Sequence, residues 1–188
     1  MTPKVATYFC AMKWIPNALT LGNAACGMAA IWFMMFQNLE YTTGALVLAF
    51  VFDALDGWAA RKLGVEGELG VQLDSLADVI TFGVVPGFMW MQLAMWMNTD
   101  YSWPALPVLG WAVTLASVYR LARFNSVMKD YPGFMGMPTP ANTAFVLGLM
   151  YAAQAELIPL HPALFLAALA WSVYSLNARF VVASLKDS

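Results

Sequence analysis

Residues Asp53–Asp78 read DALDGWAARKLGVEGELGVQLDSLAD, and four aspartates stand in this stretch of an otherwise apolar chain. Asp53, Asp56, Gly57 and Ala60 fall at 0, +3, +4 and +7, so a helix carries them on one face. Gly70, Asp74 and Asp78 fall at 0, +4 and +8, one face of a following helix. The intervening KLGVEGEL (62–69) is a short turn that lets the two faces meet, with Arg61 and Lys62 at the mouth of the hairpin. The spacing is D-x2-D-G-x2-A-R, eight residues, then G-x3-D-x3-D.

An Asp at the centre of a membrane helix costs about 2.5 to 3.5 kcal/mol even on the lenient insertion scale, so four cost on the order of 10 kcal/mol before repulsion is counted. Either they share protons, or they hold divalent metal with hard oxygen ligands. Clustered carboxylates with no His and no Cys favour Mg²⁺ or Mn²⁺ over Zn²⁺. Four Asp facing water at a helix end is the plain alternative. Gly57 and Ala60 weigh against it, because they clear side chains from beside the acids, as a ligand close to the backbone requires.

The chain has 188 residues, 61% of them apolar and 11% charged, and its mean hydropathy is +0.66. Charged residues make up about a quarter of a soluble domain. The expectation is an all-α integral membrane protein with a single domain over residues 1–188. Cys10 and Cys26 are too few and too isolated for a metal site or a disulfide framework. No cleavable signal peptide is expected at the start, MTPKVATYFCAMKW, which lacks a small-residue cleavage site.

Residues 1–14 suit a short amphipathic helix in the membrane interface, with Lys4 and Lys13 around Val5, Tyr8, Phe9 and Met12. A first span follows at 15–36, lined in its first half by Ala18, Gly22, Ala25, Gly27 and Ala29. Small residues of this kind let membrane helices pack closely. Asn17, Thr20 and Asn23 lie roughly on one face of it, placed either to line the acidic site or to bond between helices. Further spans are expected at about 43–61, 69–97, 103–124, 139–157 and 162–184. The third is too long for one crossing, and Gly83, Pro86 and Gly87 are expected to kink it. Its Met- and Trp-rich tail, FMWMQLAMWM, reads as packing and an interfacial aromatic belt. His161, beside Pro162, reads as an interfacial residue.

Six transmembrane helices put both termini on one side, and the charges agree. Every Lys and Arg falls at the N-terminus, at 61–62, at 120–129 or near the C-terminus, whereas the other three loops carry only Glu40, Asp100 and Glu156. The positive-inside rule makes the basic side cytoplasmic. The acidic motif is on that side, so the expected location is the cell (inner) membrane with the site open to the cytoplasm.

The motif from Asp53 to Asp78 resembles the signature of the CDP-alcohol phosphotransferases, a family of six-helix membrane enzymes. The resemblance implies two divalent ions held by Asp53, Asp56, Asp74 and Asp78, bridging the pyrophosphate of a CDP-linked substrate. It implies that Asp78 also takes the proton of the incoming hydroxyl. It places the CDP-linked lipid against Gly57, Ala60 and Arg61, with Arg61 on a phosphate; Asn17, Thr20, Asp53 and Gly70 complete that group of candidates. General chemistry agrees: two cations can neutralise a leaving CMP and clamp the phosphorus, and a carboxylate in reach can act as base.

The flanks IPNALTLGNAACG, LDSLADVITFGVVPG, YRLARFN and FMGMPTPANTAF are similar to the phosphatidylserine synthase branch of that family, across residues 15 to about 148. The implied reaction moves a phosphatidyl group from CDP-diacylglycerol to the hydroxyl of L-serine and releases CMP. Many relatives carry Ser or Thr in the turn, where this chain has Gly67 and Glu68. Phosphate contacts in the turn are therefore not carried over. Arg120, Arg123 and Asn125 are the acceptor candidates, since an Arg fork fits a carboxylate; the alternative is that these arginines meet lipid head groups. Expected partners are the two substrates and membrane lipids, with a homodimer implied by the family and no nucleic acid. Two other functions fit less well. A glycerol 3-phosphate acceptor favours a denser basic cluster than Arg120, Arg123 and Lys129. A divalent-cation transporter leaves Gly57, Ala60 and Arg61 unexplained.

Overall fold

The computed structural model describes residues 3–97, 107–127, 134–159, 161–178 and 181–182. The chain falls into two compact units, Met1–Thr81 and Phe82–Ser188.

The first unit contains α1 (Pro3–Met35), α2 (Leu39–Leu63) and α3 (Glu68–Asp78). No boundary interrupts α1 near residue 14, where an interfacial segment was expected to give way to a span. Pro16 lies inside the helix; it withdraws its N–H and crowds the carbonyl one turn before it, and the helix continues through it. The chain reverses over Phe36–Asn38, where Gln37 takes a φ of 56°. Asn38 then caps α2 by accepting from Tyr41 N–H at 3.1 Å. Gly64, at φ 61°, ends α2 in the left-handed conformation that glycine adopts without strain. Gly64 N–H returns to Arg61 O at 3.2 Å and Val65 N–H to Ala60 O at 3.1 Å. α2 runs antiparallel to α1, because the Phe52 ring lies over Gly22 while Thr42 Oγ1 stands 3.4 Å from Ala30 O. Leu21, Met28 and Trp32 on α1, and Val47, Val51, Leu55 and Trp58 on α2, face outward and exposed. Helices apolar on their outer as well as their packed faces are built for lipid.

A π-helical turn, Val79–Val84, continues α3 into α4 (Val85–Met97). The expected kink at Gly83, Pro86 and Gly87 is thus a widened turn just before Pro86. Pro86 has no N–H to give to Phe82 O. Thr143 Oγ1 lies 3.5 Å from that oxygen, and Thr114 Oγ1 donates to Gly83 O at 3.1 Å.

The second unit continues with a 3₁₀ turn (Pro107–Gly110), α5 (Trp111–Val127), α6 (Thr139–Gln154) and α7 (Pro162–Asn177). Strands β1 (Phe134–Met135) and β2 (Val181–Val182) pair antiparallel, Phe134 opposite Val182. A Cβ at Gly87 would stand 3.2 Å from Gly110 O, so two glycines bring α4 against the 3₁₀ turn. His161 is the N-cap of α7, its Nδ1 accepting from Ala163 N–H at 3.2 Å. That helix stops at Asn177, short of the expected 184. Asn177 Nδ2 donates to Ala116 O at 3.1 Å and Ser175 O accepts from Met137 N–H at 2.8 Å, so the chain end is held for strand pairing by β-branched Val181 and Val182. Phe82, Val85, Met89, Trp90, Met150 and Leu176 form the core, with Trp90 edge-to-face on Phe165.

Among the described residues, Trp14–Met35, Leu39–Leu63 and Glu68–Met97 are long and apolar enough to cross a membrane. α5, α6 and α7 have 17, 16 and 16 residues. At about 1.5 Å per residue they fall a little short of the roughly 30 Å hydrocarbon core. Asp100, Lys129, Arg179 and Lys186, which entered the charge reading, lie outside the described residues.

Candidate active site

The site lies in the first unit, where the last turns of α2 meet α3. The Gly64 reversal sends α3 back beside α2, so the faces separated by eight residues in sequence come together. Oxygens of Asp53, Asp56 and Asp74 all lie within 4.8 Å of one another. Asp56 is the most enclosed, 5% exposed, while Asp53, Asp74 and Asp78 are half-buried. Asp78 stands one turn beyond Asp74, its carboxyl within hydrogen-bond reach of Asp53. Its Oδ1 is buried without a hydrogen-bond partner among the described residues. The charges that act on Asp74 and Asp78 are those of the other aspartates.

α1 supplies the third wall. Thr20 Oγ1 donates to Asp56 Oδ2 at 2.6 Å, with Pro16 O at 3.0 Å as the alternative acceptor for its one hydrogen. Asn17 Oδ1 faces Gly70, 3.9 Å from where a Cβ would stand. The Arg61 guanidinium folds back over Gly57, its nearest nitrogen 3.4 Å from the same construction. Ala60 is half-buried one turn before the reversal. Gly67 begins α3 with no side-chain cap. Asn17, Thr20, Asp53, Asp56, Gly57, Ala60, Arg61, Gly70, Asp74 and Asp78 therefore belong to one unit. Arg120, Arg123 and Asn125 lie half-buried on α5, in the other.

This donor set suits a hard divalent cation. It is oxygen-only, and oxygens on opposite sides of an octahedral Mg²⁺ are about 4.2 Å apart, twice a bond of about 2.1 Å. The oxygens of Asp53, Asp56 and Asp74, all within 4.8 Å of one another, converge closely enough to share such an ion.

Sequence reasoning missed Thr81 and the π turn. Thr81 Oγ1 donates to Asn23 O at 3.1 Å, joining the π turn to α1 just past the acids. The available signal was the position of Thr81, three residues after Asp78.

The chain matches the CDP-alcohol phosphatidyltransferase family over residues 13–177. It is 34% identical over 130 residues to the CDP-diacylglycerol--serine O-phosphatidyltransferase of Bacillus subtilis (strain 168), covering 69% of this chain and 71% of that one. It is 32% identical over 150 residues to the protein of that name from Mycobacterium tuberculosis (strain ATCC 25618 / H37Rv), covering 74% of this chain but 49% of the mycobacterial one. Archaetidylserine synthase of Methanothermobacter thermautotrophicus is 34% identical over 143 residues, 74% of this chain and 58% of the relative. With its acids gathered where α2 and α3 meet and its match running from α1 to the end of α7, the chain belongs to the CDP-alcohol phosphatidyltransferase family.

Proposed function

We propose that this chain is a CDP-diacylglycerol-dependent phosphatidyltransferase that uses L-serine as acceptor, forms phosphatidylserine and releases CMP. The observation that carries the reading is the convergence of Asp53, Asp56 and Asp74, joined to relatives named for serine phosphatidyl or archaetidyl transfer. Asp53, Asp56, Asp74 and Asp78 hold two divalent ions, Mg²⁺ or Mn²⁺. Bound there, such ions neutralise the pyrophosphate and make CMP a better leaving group. Gly57 and Ala60 leave room for the cytidine diphosphate, Arg61 takes a phosphate oxygen, and Asn17, Thr20 and Gly70 complete that wall.

Asp78 accepts the proton of the serine hydroxyl. The freed oxygen attacks the phosphorus that bears the diacylglycerol, a P–O bond forms, and the P–O bond to CMP breaks. Arg120, Arg123 and Asn125 recognise the serine carboxylate through the paired N–H groups of guanidinium. The whole chain 1–188 acts as one membrane domain of six spans. It works as a homodimer in the cell inner membrane, with its site toward the cytoplasm, as the basic residues favour.

The test is CMP release by purified protein with CDP-diacylglycerol and either Mg²⁺ or Mn²⁺, over a panel of alcohols. Serine is expected to support turnover; glycerol 3-phosphate in its place would reassign the acceptor, and transport of Mn²⁺ without CMP release would remove the enzyme reading. On the same preparation, Asp78→Asn is expected to bind CDP-diacylglycerol but to lose about 10² to 10⁴ in rate, the scale of a positioned base. Lost binding with unimpaired turnover per bound donor would make Asp78 a ligand only.

A further inference from the structure

Asn23 lies on α1, three residues after Thr20 and four before Gly27, and is wholly buried. Neither its Nδ2 nor its Oδ1 has a hydrogen-bond partner among the described residues. Buried amides are rarely left so, and an orphan of this kind beside a reaction centre asks for a role.

Contacts on either side of Asn23 fix where it lies against α3. Asn17 faces Gly70 below it, and a Cβ on Gly27, above it, would come within 2.9 Å of Thr81 Cα. α1 and α3 therefore run side by side in the same direction. Thr81 Oγ1 reaches the backbone oxygen of Asn23 itself. Position 78 is one turn before Thr81, which brings Asp78 level with Asn23. Side chains on a helix lean toward its N-terminus, so the Asn23 amide leans toward the layer of Thr20 and the acids. In that layer Asp78 Oδ1 is likewise buried and unpartnered. One donor and one acceptor, each without a mate, thus share a layer of the α1–α3 contact. The carboxyl of Asp78 meanwhile meets Asp53 inside the site.

We propose that Asn23 is a positioning residue for Asp78: its Nδ2–H donates to Asp78 Oδ1 in the reacting complex and turns the other oxygen toward the acceptor hydroxyl. The inference rests on the phosphatidyl-transfer reading of the site. A carboxamide suits this task better than Lys or Arg. It orients the carboxylate without cancelling its charge, so Asp78 remains able to take a proton.

The experiment compares wild type, Asn23→Ala, Asp78→Asn and the double variant for serine-dependent CMP release. Asn23→Ala is expected to lower kcat about 10- to 100-fold, the usual effect of removing a partner that orients a liganding group. The KM for CDP-diacylglycerol should stay within twofold. On the Asp78→Asn background the same change should cost nothing further. A kcat within twofold of wild type, or an undiminished loss on the Asp78→Asn background, overturns the proposal. Asn23→Asp supplies a readout independent of turnover and of the folding of the alanine variant. A carboxylate at this point would repel Asp78, so melting without divalent metal should drop by on the order of 5 °C and recover with Mn²⁺. An unchanged melting temperature means that Asn23 does not adjoin Asp78, and the proposal fails. Wild-type protein that releases no CMP defeats the transferase reading instead, while the melting comparison still reports where Asn23 sits.

Discussion

The two units bury polar groups in different ways. Among the described residues of the second unit the buried polar side chains are neutral, and several pair with one another or with backbone. Ser172 Oγ donates to Asn142 Oδ1 at 2.6 Å, Ser175 Oγ to Ser172 O at 3.1 Å, and Thr143 Oγ1 to Thr139 O at 3.0 Å. The first unit uses the same device, with Thr42 and Thr43 bonded to Asn38 O and Leu39 O. It then adds four aspartates, and the charges that act on Asp74 and Asp78 are those of the others. Neutral pairs hold helices together in an apolar medium and ask for nothing more. Like charges crowded together require something from outside. That difference assigns chemistry to the α2–α3 junction and packing to the Asn142–Ser172 pair.

The largest effect should come from the acids. Asp56→Asn is expected to cut CMP release on the order of 10³-fold, the scale of losing one strong electrostatic contributor. It should not lower the melting temperature measured without metal, because one repulsive charge is gone. Near-wild-type activity at saturating Mg²⁺ or Mn²⁺ would erase the contrast between the units.

A middle-sized effect should follow from the bond that supports Asp56. Thr20→Val keeps the shape and removes the 2.6 Å donor to Asp56 Oδ2. The expectation is a 10- to 100-fold loss in apparent Mn²⁺ affinity or in activity, typical of groups that orient a metal ligand. Titrating Mn²⁺ against CMP release measures it, and an unshifted curve would show that the bond merely packs α1 on α2.

The smallest effect on turnover belongs to the second unit. Ser172→Ala strips the donor from buried Asn142 Oδ1, a change worth about 0.6 to 1.7 kcal/mol between membrane helices. Thermal stability should fall by a few degrees while turnover per folded molecule stays within twofold. A tenfold drop in turnover at unchanged stability would give this pair a share in the chemistry.

Most of the site was legible from spacing alone. Residues at 0, +3, +4 and +7 must share a helical face, so the sequence by itself groups Asp53, Asp56, Gly57 and Ala60, and likewise Gly70, Asp74 and Asp78. The turn KLGVEGEL joins the two sets in the sequence, and the structure makes Gly64 the residue that ends α2 in the left-handed conformation, which is cheap only for glycine. Composition likewise announced helices for an apolar medium. These are local properties: they depend on neighbours within about two turns, and the chain carries them wherever it goes.

What only the tertiary structure decided are meetings between distant segments. Thr20 and Asn23 share one face of α1 in the sequence, and of the two only Thr20 stands among the candidates for the CDP-linked lipid. The structure gives Thr20 to Asp56, 36 residues away, and leaves the Asn23 amide unpartnered beside a backbone oxygen held by Thr81, 58 residues on. The π turn at Val79–Val84 was invisible for the same reason, since the carbonyls it exposes are met by Thr114 and Thr143 from other helices. Even the end of α7 at Asn177 depends on Ala116 and on strand pairing across more than forty residues. A hydrogen bond forms wherever two groups come within about 3 Å. Which groups do so follows from how whole helices pack, and no short window of sequence contains that.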